Sequence, residues 1–119
     1  MAYFNACHPG LAYGDGVMQG AGATGQFVKL IGNDTFAVNT DPAVPSFGVL
    51  MKDYVDGDLP GVWCCGGVYE TDVFTGTINP NDLLKIDGSG KLVAGATTAN
   101  AVAQAVSVSG GLLKFKLLI

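Results

Sequence analysis

Arginine is absent from the 119 residues, and histidine and tryptophan occur once each. Charged residues make up only 13% of the chain, and the net charge is −4. Arginine is the preferred side chain for bidentate contacts to phosphate and guanine. Its absence, with the acidic balance, argues against nucleic-acid binding. No run of about 18 apolar residues occurs, so no membrane span is expected. The start of the sequence has neither a charged segment nor a long apolar stretch, so no signal peptide is expected. Cysteine is scarce too. Cys7, Cys64 and Cys65 are odd in number and two are adjacent, which is no disulfide framework. They read as reduced, buried small hydrophobes of a protein made in a cytoplasm.

What is present is glycine, eighteen residues of it, and hydrophobic residues at half the chain. Glycine spread along the sequence gives frequent turns. The apolar content is enough for one domain with its own core. With so few charges, parts of the surface must be apolar or uncharged polar, which a partner or self-association would explain.

The organising stretch is Phe27 to Leu50, because a weaker copy follows at a constant offset of 56 positions. Val28 pairs with Leu84, Lys29 with Lys85, Leu30 with Ile86, Gly32 with Gly88 and Phe36 with Leu92. Each copy reads as a strand, a tight polar turn and a returning strand, followed by a loop and another apolar run. Two related β-units around one core are expected.

Val28 and Leu30 alternate with Lys29, and Phe36 and Val38 are expected inward. Val62 to Phe74 reads as one bent strand or two short ones, since Gly66-Gly67 permits a bulge or bend. Thr98 to Val108 reads as a strand with Val102, Val106 and Val108 on one face, or else begins with a short helical turn near Ala99. Leu113, Phe115, Leu117 and Ile119 share a face opposite Lys114 and Lys116. The expected fold is all-β, a compact β-barrel or sandwich of about eight short strands over residues 25–119. Residues 1–24 have no clean period. They read either as an extended N-terminal arm or as an ordinary edge strand and loop.

Chemistry-bearing residues are few. His8 is expected at the surface beside Pro9, with nothing to make it a catalytic base. Cys7, His8, Cys64 and Cys65 could be drawn as zinc ligands, but paired zinc cysteines are usually separated by two to four residues. Asp53, Asp56 and Asp58 share a loop without the calcium-loop pattern, so they read as solvated turn residues. Trp63 and Tyr69 could stack on carbohydrate, although Trp63 lies in the most apolar strand. No enzyme activity, metal or cofactor is expected.

The order of the motifs Gly25-Gln26-Phe27-Val28-Lys29, Phe47-Gly48-Val49-Leu50 and Gly66-Gly67-Val68-Tyr69 resembles that of small tailed-phage capsid decoration (cement) proteins. Asp82-Leu83-Leu84-Lys85, Gly90-Lys91-Leu92, Val102-Ala103-Gln104-Ala105 and the closing apolar strand continue the likeness. It covers residues 25–119 and not the first 24. The resemblance implies a non-enzymatic virion protein that binds the major capsid protein on the outside of an icosahedral head, often as a homotrimer. A tail or fibre-base component and a carbohydrate-binding module are the alternatives. On the cement reading, residues 1–24 would be the arm that contacts the capsid, through Tyr3, Phe4, His8 and Tyr13.

Overall fold

The computed structural model describes residues 2–119. The apolar alternation and the polar turns give ten strands: β1 (Phe4–Tyr13), β2 (Val17–Met18), β3 (Phe27–Gly32), β4 (Thr35–Val38), β5 (Gly48–Leu50), β6 (Val62–Thr71), β7 (Leu83–Ile86), β8 (Leu92–Ala94), β9 (Ala103–Ser109) and β10 (Leu112–Leu117). No helix occurs among the described residues. The strands form one sheet in the order β2-β4-β3-β5-β6-β10-β9-β7-β8, with β1 added alongside β6. The all-β expectation holds. The strand count exceeds eight because residues before position 25 supply β1 and β2.

The duplication is written into the register. Val28–Val38, Lys29–Ala37 and Leu30–Phe36 face one another across β3 and β4. Leu84–Ala94, Lys85–Val93 and Ile86–Leu92 face one another across β7 and β8, with the same offset of 56 on both sides of every pair. β3 next pairs with β5, as β7 does with β9. β5 then meets β6, and β9 meets β10. Two four-strand units therefore share one plan. β6 joins them: β5 pairs with its start at Val62–Trp63, and β10 with its end at Val68–Thr71.

Successive strand residues point to opposite faces, and the first unit uses both. Phe27, Val49 and Tyr69 enter the main core with Leu84, Ile86, Leu92, Leu113 and Phe115. Their neighbours Val28 and Leu50 enter a smaller core with Met18, Phe36 and Val62, flanked by Tyr13, Phe47 and Tyr54.

Residues Phe4–Tyr13, from the segment expected as an arm, run antiparallel along the whole of β6. Register shifts fall between Ala6 and His8 and between Leu11 and Ala12. The approach is closest at Gly10, where any side chain would overlap the carbonyl oxygens of Cys65 and Gly66. β6 itself turns through positive φ at Gly66 (64°) and Gly67 (98°), a conformation open to glycine. Tyr69 locks this crossing. Its hydroxyl accepts from the Gly10 amide at 3.1 Å and donates to the Gly66 carbonyl at 2.8 Å.

Three placements differ from expectation. Leu30 is exposed, because β3 runs past the core to its hairpin tip, where the register shifts before Gly32. Val106 is exposed as the extra residue between the pairs Ala105–Phe115 and Ser107–Lys114, which turns it away from its expected neighbours. Cys65 is exposed, whereas Cys7 and Cys64 are partly buried. The strand reading of the last ambiguous segment holds from Ala103, with a turn at residues 98–100.

Asp87 shapes the β7–β8 turn. Its carboxylate accepts from the Ser89 and Lys91 amides at 2.8 and 3.1 Å and from the Ser89 and Thr75 hydroxyls at 2.9 and 3.0 Å. Desolvation pushes its pKa up, but the bonds from Ser89, Lys91 and Thr75 outweigh it and hold the pKa below the ordinary value. A lowered folded pKa stabilises the fold above the unfolded value of about 3.9 and loses that contribution as the pH falls through the folded one. Asp87→Ala is therefore expected to cost about 1–2 kcal/mol at pH 7, and progressively less in acid. Urea unfolding midpoints at pH 7 and at a pH well below the ordinary carboxylate value of about 3.9 check this; an equal loss at both would contradict it.

Candidate functional site

The four residues expected to contact a partner lie on or beside β1, but not as one cluster. Tyr3 and Tyr13 are separated by roughly 30 Å of strand. Tyr3 is exposed, its amide donating to Asp72 at 2.8 Å and its hydroxyl to Glu70 at 3.3 Å. The Phe4 ring packs into the core, stacked on Tyr69 at 5.5 Å and tilted against Phe115 at 6.2 Å. His8 is exposed opposite Val68. Tyr13 meets Phe36 and Phe47 edge-on. Its hydroxyl donates to the Asp34 carboxylate, which raises the phenol pKa. Tyr3 and His8 thus present free surface, while Phe4 and Tyr13 are engaged by the body.

The remaining candidates resolve individually. No cluster of metal-ligating side chains occurs among the described residues. Asp53, Asp56 and Asp58 accept from the backbone amides of Thr24, Gly20 and Val55 at 2.9, 2.8 and 2.9 Å, which fixes the loop along residues 18–24. Tyr69 is fully buried, so its ring cannot stack on a sugar. Trp63 is partly buried and packs against Tyr69 at 5.5 Å.

A cleft of about 420 Å³ lies between the β4–β5 and β8–β9 loops, the equivalent loops of the two units. Pro42, Val44, Pro45, Ile86 and Val102 give it an apolar lining. Both walls are held by side-chain bonds. The buried Asn39 amide donates to the Val44 carbonyl at 2.9 Å and the Ser46 hydroxyl at 3.0 Å. Asn100 accepts from the Thr97 amide at 2.8 Å.

A second surface was not anticipated from the sequence. Leu30 and Ile31 at the β3–β4 tip and Val55 and Leu59 in the 53–59 loop are all exposed. The signal was available in Asp53-Tyr54-Val55-Asp56-Gly57-Asp58-Leu59, where two aliphatic side chains stand inside an acidic turn with no strand period to bury them.

The strand plan defines an all-β protein built from two like units on one shared strand. No family model matches the chain, and no curated protein sequence matches it. Among solved structures, the fold is similar to the head fiber gp8.5 N base of bacteriophage phi29. The TM-score is 0.62 at 17% sequence identity, over 98% of this chain and 94% of that one.

Proposed function

We infer that this protein is a structural component of a tailed-phage virion, made in the host cytoplasm and seated on the outside of the head through the major capsid protein. The observation that carries this reading is the fold likeness to a head-fibre base, which extends over nearly all of both chains. The role is mechanical and not enzymatic, and no cofactor takes part. Many copies on a symmetric shell would gain strength through multivalency.

Two versions of the role are open to test. The motif order of residues 25–119 favours a cement protein that stabilises the shell. The fold neighbour favours the base of a head fibre. Incubation of the purified protein with emptied heads of its phage, followed by electron microscopy, is expected to show regular added density on the shell. Binding to tails alone would overturn the reading. A rise in the temperature at which decorated heads rupture supports cement, whereas an unchanged rupture temperature with bound protein supports a fibre base. The proposed assembly is a homotrimer, expected in light scattering as three times the chain mass of 12.2 kDa.

A further inference from the structure

We propose that the corner formed by the β3–β4 hairpin tip and the 53–59 loop is the docking face of this protein, and that its occupant is a protein surface with lysines and arginines around an apolar centre. The proposal deepens the head-binding reading and rests on it for the identity of the partner.

The first argument comes from the duplication. Position 30 occupies the same structural slot as 86, Leu30 pairing with Phe36 as Ile86 does with Leu92, and 31 and 87 follow them at the same offset in the sequence. In the second unit Ile86 is 2% exposed, and the side chain at 87 is the aspartate that ties down its turn. In the first unit Leu30 is 48% exposed and Ile31 42%. One plan thus leaves two aliphatic side chains bare where its copy covers one and replaces the other with a turn-forming carboxylate. The first hairpin runs past the core at this point, and both side chains of the pair stay exposed.

The second argument is adjacency. Gly32 pairs with Thr35, and Thr35 with Val17. The next residue, Met18, donates its amide to the Asp58 carbonyl at 2.8 Å and accepts from the Gly57 amide at 2.8 Å. Those three steps, at one strand spacing each, amount to about 15 Å. They set the hairpin tip and the 53–59 loop, with Leu59 73% exposed and Val55 63% exposed, on opposite sides of β4 and β2, within the span of one protein contact. Four of the eight exposed large hydrophobic residues among the described ones therefore belong to these two neighbouring segments. A grouped apolar surface with a charged rim is the pattern of a contact site.

Charge selects the occupant. Residues 1–61 hold six aspartates and two lysines, whereas residues 62–119 hold Glu70, three aspartates and four lysines. The whole net charge of −4 therefore belongs to the first half. Asp15, Asp34, Asp53, Asp56 and Asp58 surround or adjoin the corner, and hydrogen bonds hold all but Asp15 in place. Nucleic acid and anionic lipid are repelled by such a rim. A second copy presenting the same corner is repelled as well. A basic protein surface is attracted, and its apolar centre covers the four aliphatic side chains.

The test has two arms. In the first, the labelled protein is titrated by NMR with a synthetic peptide of alternating lysine and leucine, a probe that needs no phage head. Amide shifts are expected at residues 30–34 and 53–59, with affinity falling about ten-fold as salt is raised from about 50 to 300 mM. Shifts centred elsewhere, or no shifts, would overturn the proposal. In the second arm, emptied heads are decorated with V55S/L59S and with V106S, a control on another surface. Both sites are solvent-facing, so circular dichroism should confirm an intact fold. V55S/L59S is expected to need about ten-fold more protein for half occupancy, and V106S the wild-type amount. Equal binding by V55S/L59S and wild type would overturn the corner while leaving head binding intact. Failure of the wild type to bind heads would overturn the head-binding reading, and the peptide arm then decides the corner.

Discussion

Gly10→Ala is expected to lower the melting temperature by about 10–15 °C, a loss of about 3 kcal/mol. The added methyl would overlap the carbonyl oxygens of Cys65 and Gly66, both backbone atoms that no rotamer change can move. β1 would have to lift from β6 at its middle. Lifting also breaks the bond from the Gly10 amide to the hydroxyl of the buried Tyr69. Limited proteolysis distinguishes this from a general loss of stability, because cleavage within residues 4–16 should appear well below the melting temperature. Wild-type melting with β1 still protected would mean that β1 and β6 are less tightly opposed than described.

Phe115→Ala is expected to cost about 3–5 kcal/mol, a large share of the roughly 5–15 kcal/mol by which domains of this size are stable. Its ring is fully buried and packs against Tyr69 at 5.6 Å and Phe4 at 6.2 Å. β10 lies between β6 and β9, so the cavity would open where the two units meet. Phe4→Ala provides the comparison. Phe4 is only partly buried at the rim of the same aromatic group, so its loss should be smaller. Chemical denaturation of both variants measures the difference. A Phe4→Ala loss equal to that of Phe115→Ala would shift the centre of the core toward β1.

The parts of this fold legible in the sequence were those written in a local code. The Val28–Leu30 and Leu84–Ile86 alternations, with Gly32-Asn33-Asp34 and Gly88-Ser89-Gly90 between strands, specify two hairpins. The offset of 56 specified that they would be alike. Leu113 to Leu117 likewise announced an inward face, and the buried residues match it. The pairing of β1 with β6 had no such code. His8-Pro9-Gly10 interrupts the alternation, and the register shifts absorb the break without leaving a periodic trace. Val106 departs from its expected face for the same reason, since a bulge changes which face a residue occupies without changing its sequence neighbours. For the site, residue type pointed to the aromatic side chains of the first thirteen residues. Exposure, which depends on the assembled fold, leaves Tyr3 free and adds apolar surface at Leu30, Ile31, Val55 and Leu59.

The pairing of β1 with β6 also fixes an order of events at the ribosome. Phe4 meets Thr71, and Tyr13 meets Val62, so β1 is translated some fifty to sixty-seven residues ahead of its partner. At about 5–20 residues per second, that delay is several seconds. Throughout it β1 has neither edge paired. A freshly made strand in that state invites pairing with other chains, and Pro9 in its middle supplies the interruption that discourages it. The same residue that obscured β1 in the sequence thus protects it during synthesis, and closure of the sheet waits for the long-range contacts that make such β topologies slow to fold.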